Sequence, residues 1–152
     1  MSYLFRAAAA PDLVAVVALL ADDPLGATRE SSNGGTGDCY RDAFREIEND
    51  PNNDIIVAER EGVVVGCLQL TIIPNLSRSG TTRAQIEGVR VAASERGQGL
   101  GKQLMDWAIS EARRRDAGIM QLTTDKSRAD AYRFYENLGF VASHEGMKMA
   151  LE

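Results

Sequence analysis

Val89-Arg90-Val91-Ala92-Ala93-Ser94-Glu95-Arg96-Gly97-Gln98-Gly99-Leu100-Gly101-Lys102 runs from a β-rich stretch, through a loop with three alternate glycines, into a helix-forming stretch. Glycine lets backbone approach a ligand closely, and a helix N-terminus presents unpaired N–H groups with a partial positive charge. The combination predicts a pyrophosphate cradle, to which Arg96 and Lys102 can add charge. Two other phosphate-binding patterns do not fit. The P-loop pattern G-x-x-x-x-G-K-[ST] requires glycine where Arg96 stands and Ser or Thr where Gln103 stands. The dinucleotide fingerprint G-x-G-x-x-G, begun at Gly97, requires glycine at Lys102, and it belongs at the start of a βαβ unit rather than after several strands.

Upstream, Ala84 to Ala93 reads as a strand in which Ile86, Val89 and Val91 do not alternate cleanly. The irregular step across Glu87-Gly88 fits a β-bulge, where Gly often sits. Ile55 to Arg60 and Val63 to Ile73 are β-rich runs divided by Glu61-Gly62, a tight hairpin signal; Pro74 stops the second, and Asn75 to Arg83 reads as a polar surface loop. Before them, Asp38 is a fitting N-cap for a helix with Tyr40, Ala43, Phe44 and Ile47 at helical spacing. Residues 22 to 38 read as a loop, Pro11 and Asp12 open a first helix to about Leu20, and Ser2 to Ala7 is short and apolar enough for a first strand.

Downstream, Gly99 to Ala117 has the pattern of a long amphipathic helix with Gly118 as its C′ residue, followed by a strand at Ile119 to Thr124. Ser127-Arg128-Ala129-Asp130 has the spacing of a capping box and opens a helix that Gly139 closes. Phe140 to Ser143 and Met147 to Leu151 are expected to pair as a hairpin across His144-Glu145-Gly146. The order predicts one α/β (α+β) domain over residues 1–152, a mixed sheet with helices on its faces and no repeats or internal linker.

A chain of 152 residues, 44% hydrophobic and 26% charged, is an ordinary soluble composition that one core can accommodate. The net charge of −5 speaks against nucleic acid as the main ligand. No apolar run, the longest being Leu13 to Ala21, is long enough to cross a membrane. Met1 to Asp23 loosely imitates a secretory signal. Pro11-Asp12 before its apolar stretch and Asp22-Asp23 after it argue instead for the first helix of a cytoplasmic protein. Two cysteines, Cys39 and Cys67, and one histidine, His144, lie outside any metal-ligand spacing, so no metal is expected. Cys67 sits inside an apolar strand as a buried thiol, Trp107 reads as core, and Arg113-Arg114-Arg115 complements a helix dipole.

Arg96-Gly97-Gln98-Gly99-Leu100-Gly101 resembles the Q/R-x-x-G-x-G/A loop of the GNAT superfamily of acyl-CoA-dependent N-acyltransferases. Ala131-Tyr132-Arg133-Phe134-Tyr135-Glu136-Asn137-Leu138-Gly139-Phe140 is similar to the same superfamily's A-x-x-F-Y-x-x-x-G-F signature, and the spacing between the two matches as well. The resemblance covers nearly the whole chain. It implies a mostly antiparallel sheet with a central splayed parallel pair, flanked by about four helices. It also implies acetyl-CoA as cosubstrate in the cleft between Ala84–Ala93 and Ile119–Thr124, without a metal. Pantetheine would pair with the backbone of Val89, Arg90 and Val91, and the pyrophosphate would lie over Arg96, Gly97, Gln98, Gly99, Leu100, Gly101 and Lys102. An N–H at Val89 or its neighbour would polarise the thioester carbonyl, and the amine would attack directly through a tetrahedral intermediate.

Tyr135 matches the family's usual general acid, which protonates the departing thiolate and touches the cofactor. Arg128 stands where many members carry an Asn that contacts the cofactor; it would bind CoA in its place or lie exposed near a helix start. For the base, Glu87 would be re-aimed by the bulge into the cleft mouth, against the alternative of a solvent-facing carboxylate. His144 is its rival, though it falls in a turn. From Asp22 to Asp54 there are three arginines against nine acids, a region that roofs the acceptor site in this family and would favour a cationic acceptor, or else be a solvated face. The expected activity is acetyl transfer to a primary amine of a small molecule. A protein or peptide acceptor, or a non-catalytic acyl-CoA sensor, is the alternative. A homodimer is implied by family habit, without warrant from the residues.

Overall fold

β-Branched runs become the strands, and glycine supplies the turns between them. In a computed structural model, residues 2–30 and 37–152 are described; the Ser31 to Thr36 part of the expected loop lies outside them. The strands are β1 (Leu4–Ala7), β2 (Asn53–Arg60), β3 (Val63–Ile73), β4 (Arg83–Val91) and β5 (Ile119–Leu122), in the order β1-β2-β3-β4-β5. All neighbours are antiparallel except β4 and β5. The β2–β3 hairpin turns on Glu61 and Gly62, both at positive φ (52° and 81°), the conformation that matches strand twist.

The helices are α1 (Leu13–Ala21), entered through a 3-10 turn at Ala10–Asp12, the single-turn α2 (Gly26–Arg29), α3 (Asp38–Glu48), α4 (Leu100–Arg114) and α5 (Ala129–Asn137). Among the described residues, four of these have nine or more residues, as expected. Helix α4 covers one sheet face, where Leu100, Leu104, Met105 and Ala108 interlock with Leu68, Leu70, Ala84 and Ile86. Helix α1 covers the other, packing Val16 and Leu19 on Val57 and Cys67. Each buried Val, Leu, Ile or Met side chain among them contributes about 1.5–3 kcal/mol. Trp107 is half-buried against the α4 cluster.

Two features of β4 make the cleft. The bulge is real: between the pairs Cys67↔Arg90 and Gln69↔Glu87, one residue of β3, Leu68, faces two of β4, Gly88 and Val89, with Gly88 at φ +61°. The parallel pairing with β5 then runs only from Arg83↔Ile119 to Ile86↔Leu122. The two strands part just where the bulge begins, so beyond Ile86 the β5-facing edge of β4 has no strand partner among the described residues.

Four expectations are corrected. The C-terminal hairpin is not formed: no residue of 140–152 joins a strand. Helix α5 instead ends in a Schellman motif, with Gly139 at φ +105° and Phe140 N–H donating to Tyr135 O at 3.1 Å, and the chain beyond it lies in no helix or strand. The capping box is not formed either, because Ser127 Oγ donates to Asp125 at 2.7 Å and Arg128 becomes the N-cap. Helix α4 stops at Arg114 because Asp116, not Gly118, takes the left-handed conformation (φ 61°). Gly118 serves close packing, since a Cβ there would lie 2.8 Å from Thr81 Cγ2. Finally, Ser77–Gly80 makes one tight turn within the expected 75–83 loop, with Arg78 and Ser79 left-handed.

Candidate active site

The glycine loop leaves β4 through a 3-10 turn at Ala93–Glu95 and enters α4 at Leu100. Gly97 and Gly99 are left-handed (φ 78° and 82°), and a Cβ on either would meet nothing within 4 Å, so backbone is open to a ligand there. The first helical amide taken by the chain is that of Gln103, to Gly99 O at 3.1 Å. Those of Leu100, Gly101 and Lys102 have no backbone acceptor among the described residues, the arrangement that suits a pyrophosphate. Leu100 can serve only through its backbone, because its side chain is in the core. Gly101 has a different role: a Cβ there would touch Phe134 Cζ at 3.4 Å, so it lets α4 and α5 pack closely. Arg96 and Lys102 are exposed and hold Asp22 and Asp106 at 3.5 and 2.8 Å. Gln98 turns inward on the loop, its side-chain amide donating to Ser94 O at 3.2 Å.

What fastens this loop has no local signature in the sequence. Glu95 is completely buried. It accepts from Arg60 Nη2 at 2.8 Å, Tyr3 O–H at 3.0 Å and Ser94 O–H at 3.0 Å, tying the loop to β2 and to the residue before β1. Burial opposes its charge, but the hydrogen bonds from Arg60, Ser94 and Tyr3 prevail and hold its carboxyl below the ordinary 4.5. A depressed pKa adds stability above the unfolded value and loses it as pH falls through the folded one. Glu95→Gln is therefore expected to lower Tm at neutral pH, the difference from wild type shrinking once pH falls below 4.5. Thermal melts of both proteins between neutrality and acid check this; a difference that does not depend on pH would refute it.

At the other side of the cleft, Tyr135 packs edge-on against Phe134 and Phe140, with centroids 5.2 and 5.8 Å away. Burial raises its pKa above 10, and the nearby cations of Arg90 and Arg128 work against that rise. The phenol therefore stays protonated at neutral pH. The same two arginines meet on Asp23: Arg90 Nε at 3.1 Å and Arg128 Nη2 at 3.2 Å from its Oδ2. Asp23 also accepts the Gly26 amide at 2.5 Å, so the α1–α2 connection is pinned across the place where β4 and β5 part. Arg29 to Asp125, at 3.6 Å, adds a second clasp.

Glu87 is exposed on β4, opposite Gln69, and makes no side-chain hydrogen bond or ion pair among the described residues. His144 is exposed, its Nδ1 2.7 Å from Ser143 Oγ. Cys67 is the expected buried thiol; burial pushes its pKa up to about 12, which makes it inert. The acids of residues 22–54 are not an open acidic roof. Asp22, Asp23, Asp38, Asp42 and Asp54 each face an arginine, and Glu30 accepts from Tyr40 O–H. In the basic run, Arg114 and Arg115 are likewise paired, with Glu111 and Asp54.

Residues 14–140 match the Acetyltransferase (GNAT) family. The aminoalkylphosphonate N-acetyltransferase of Salmonella typhimurium strain LT2 is 37% identical over 113 residues, 74% of this chain and 73% of that one. The glucosamine 6-phosphate N-acetyltransferase of Trypanosoma brucei brucei is 38% identical over 59% of each. Among solved structures, a protein of Bacillus halodurans C-125 described as a transcriptional regulator superposes with a TM-score of 0.95 at 49% identity. That superposition takes in 99% of this chain and all of the other.

Proposed function

The chain belongs to the acetyltransferase (GNAT) family, and on that premise we propose that it moves an acetyl group from acetyl-CoA to the primary amine of a small molecule that also carries an anionic group. The observation that carries the reading is the meeting of Arg90 and Arg128 beside the Tyr135 phenol, at the point where β4 and β5 separate. Two guanidiniums share one carboxylate there, leaving a positive excess in a half-buried place. Arginine pairs suit phosphonate or phosphate, which accept several charge-assisted hydrogen bonds at once. The two curated relatives act, by name, on acceptors with such groups. A cationic acceptor, which the count of acids alone would favour, finds five of those nine acids already beside an arginine.

Acetyl-CoA would lie with its pyrophosphate on the amides of Leu100, Gly101 and Lys102 and its pantetheine along the unpaired edge of β4 at Val89 to Val91. In that seat a Val89 amide would hold the thioester oxygen as it becomes an oxyanion. The free amine attacks the carbonyl carbon, the C–N bond forms and the C–S bond breaks. The amine's proton leaves through Glu87, directly or by water, while Tyr135 O–H gives its proton to the departing sulfur. Solvent then restores the phenol.

Titration calorimetry with acetyl-CoA, ATP and NAD, followed by thiol release with matched amines, tests this. Selective acetyl-CoA binding is expected, with release fastest for an aminoalkylphosphonate and slower for the neutral and dicationic amines of equal length. No binding at millimolar acetyl-CoA would overturn the reading. Binding without thiol release from any amine would mark a sensor instead.

A further inference from the structure

The sheet face that α1 covers changes character along its length. Beneath α1 it is apolar, with Val57 and Cys67 buried against Val16 and Leu19. Beyond Cys67 it becomes a polar floor. Gln121, Gln85, Thr71 and Asn53 are successive register partners from β5 to β2, so they form one row across the sheet, about 4.8 Å apart. Gln69 and Glu87 pair in the next row. Ile55, the partner of Gln69 on β2, packs on the α1 cluster, which puts both rows on the α1 face.

Side-chain hydrogen bonds hold the floor in place. Gln121 Nε2 donates to Gln85 Oε1 at 2.7 Å. Gln69 Nε2 and Thr71 Oγ1 both donate to Asn53 Oδ1, at 2.9 and 3.1 Å. A carboxamide offers two donors and an acceptor, so each of these keeps a group unused. Gln85 and Asn53 keep an NH₂, while Gln121 and Gln69 keep an oxygen, and none of those four groups is sealed from solvent. Thr71 Oγ1 still accepts. Along the row from β5 to β2, open acceptors and donors therefore alternate, on half-buried side chains and without a charge.

The floor adjoins the proposed chemistry. Along β4 the same face carries Gln85, then Glu87, then, past the bulge, Arg90 opposite Cys67. Gln85 and Glu87 are about 7 Å apart along the strand. An acceptor with its anion on Arg90 and Arg128 and its amine at Glu87 thus has the row on the side away from the anion.

We propose that the row Gln121–Gln85–Thr71–Asn53 is a third subsite, which takes a neutral, hydroxyl-bearing arm attached at the amine-bearing carbon of the acceptor. A hydroxyl both donates and accepts, so successive hydroxyls match alternating acceptors and donors. An alkyl arm would strip water from the carboxamides and return nothing, and a charged arm would find no counter-charge in the row. The subsite rests on the acetyl-transfer reading and narrows its acceptor to a hydroxylated amine that carries phosphonate or phosphate.

Three aminoalkylphosphonates, alike but for a dihydroxypropyl arm, a propyl arm or no arm on the amine-bearing carbon, test this by acetyl-CoA-dependent thiol release. The dihydroxypropyl compound should exceed the propyl compound in kcat/KM by about 2–10-fold for each hydroxyl engaged, the range for a neutral hydrogen bond. Gln85→Met and Gln121→Met keep the side-chain length and remove the amide, and each should bring that ratio towards one. A ratio does not depend on the folded fraction of a variant, and should neither variant fold, the wild-type comparison decides by itself. Equal kcat/KM for the two arms in wild type, or a preference for hydroxyls that survives both substitutions, would overturn the subsite and leave the acetyl-transfer reading standing. Thiol release from none of the three, with acetyl-CoA bound, would overturn that reading and the subsite with it.

Discussion

Tyr135→Phe is expected to lower kcat by about 10²–10⁴-fold, the range for losing a positioned proton donor, while acetyl-CoA binds as before. The substitution removes one oxygen and keeps the ring that packs on Phe134 and Phe140, so neither fold nor cleft shape should change. The loss should therefore fall on turnover and not on cofactor affinity. Because burial raises the phenol above 10, the wild-type rate should show no alkaline decline from this group below that pH. Steady-state thiol release across pH, with calorimetric acetyl-CoA titrations of both proteins, makes the check. Wild-type turnover by the Phe variant would remove Tyr135 from the mechanism. An alkaline limb near neutrality that vanished in the variant would show that the phenol ionises far lower than its surroundings imply.

Arg128→Ala should reduce kcat/KM for an aminoalkylphosphonate while sparing the amino alcohol of equal length. A hydrogen bond to a charged group is worth about 1.5–3 kcal/mol, and every 1.4 kcal/mol is tenfold, so the expected loss is about 10–150-fold. Arg90→Ala should behave alike, with some loss of stability, since Arg90 is the more buried of the two (16% against 26% exposed). Asp23→Asn should act in the opposite sense on the anion, because Asp23 occupies both guanidiniums when no acceptor is bound. Parallel losses on phosphonate and alcohol would refute anion recognition here and leave the pair a purely structural tie.

The parts that could be read from the residues are those governed by local chemistry. The β-bulge announced itself because Gly88 interrupts an alternation, the hairpin because Glu61-Gly62 permits positive φ, and the loop-to-helix turn at Gly97 to Leu100 because glycines precede a helical pattern. What escaped reading depends on groups distant along the chain. Glu95 differs in no local way from a surface glutamate; only the arrival of Arg60, 35 residues earlier, and Tyr3, 92 residues earlier, makes it a buried anchor. The Asp23 clasp is of the same kind, joining the α1–α2 connection to β4 and to the N-cap of α5. Counting charges over residues 22–54 suggested an acidic roof, because a count omits the arginines that fold brings from elsewhere. At the C-terminus the alternation of Met147, Met149 and Leu151 suggests a strand that the structure does not form, because a period of two marks where apolar side chains fall and not whether a neighbouring strand is there to pair with.

The contact between Gly101 and Phe134 has a consequence for descent. It joins the helix that begins at the glycine loop to the helix that carries the phenol, with room at position 101 for a methyl group and little more. A lineage that acquires a bulkier residue at 101 would shift Phe134, and Tyr135 with it, unless position 134 shrinks in step. Among descendants of this chain, residue sizes at these two positions should vary inversely, so that the volume they share stays nearly constant.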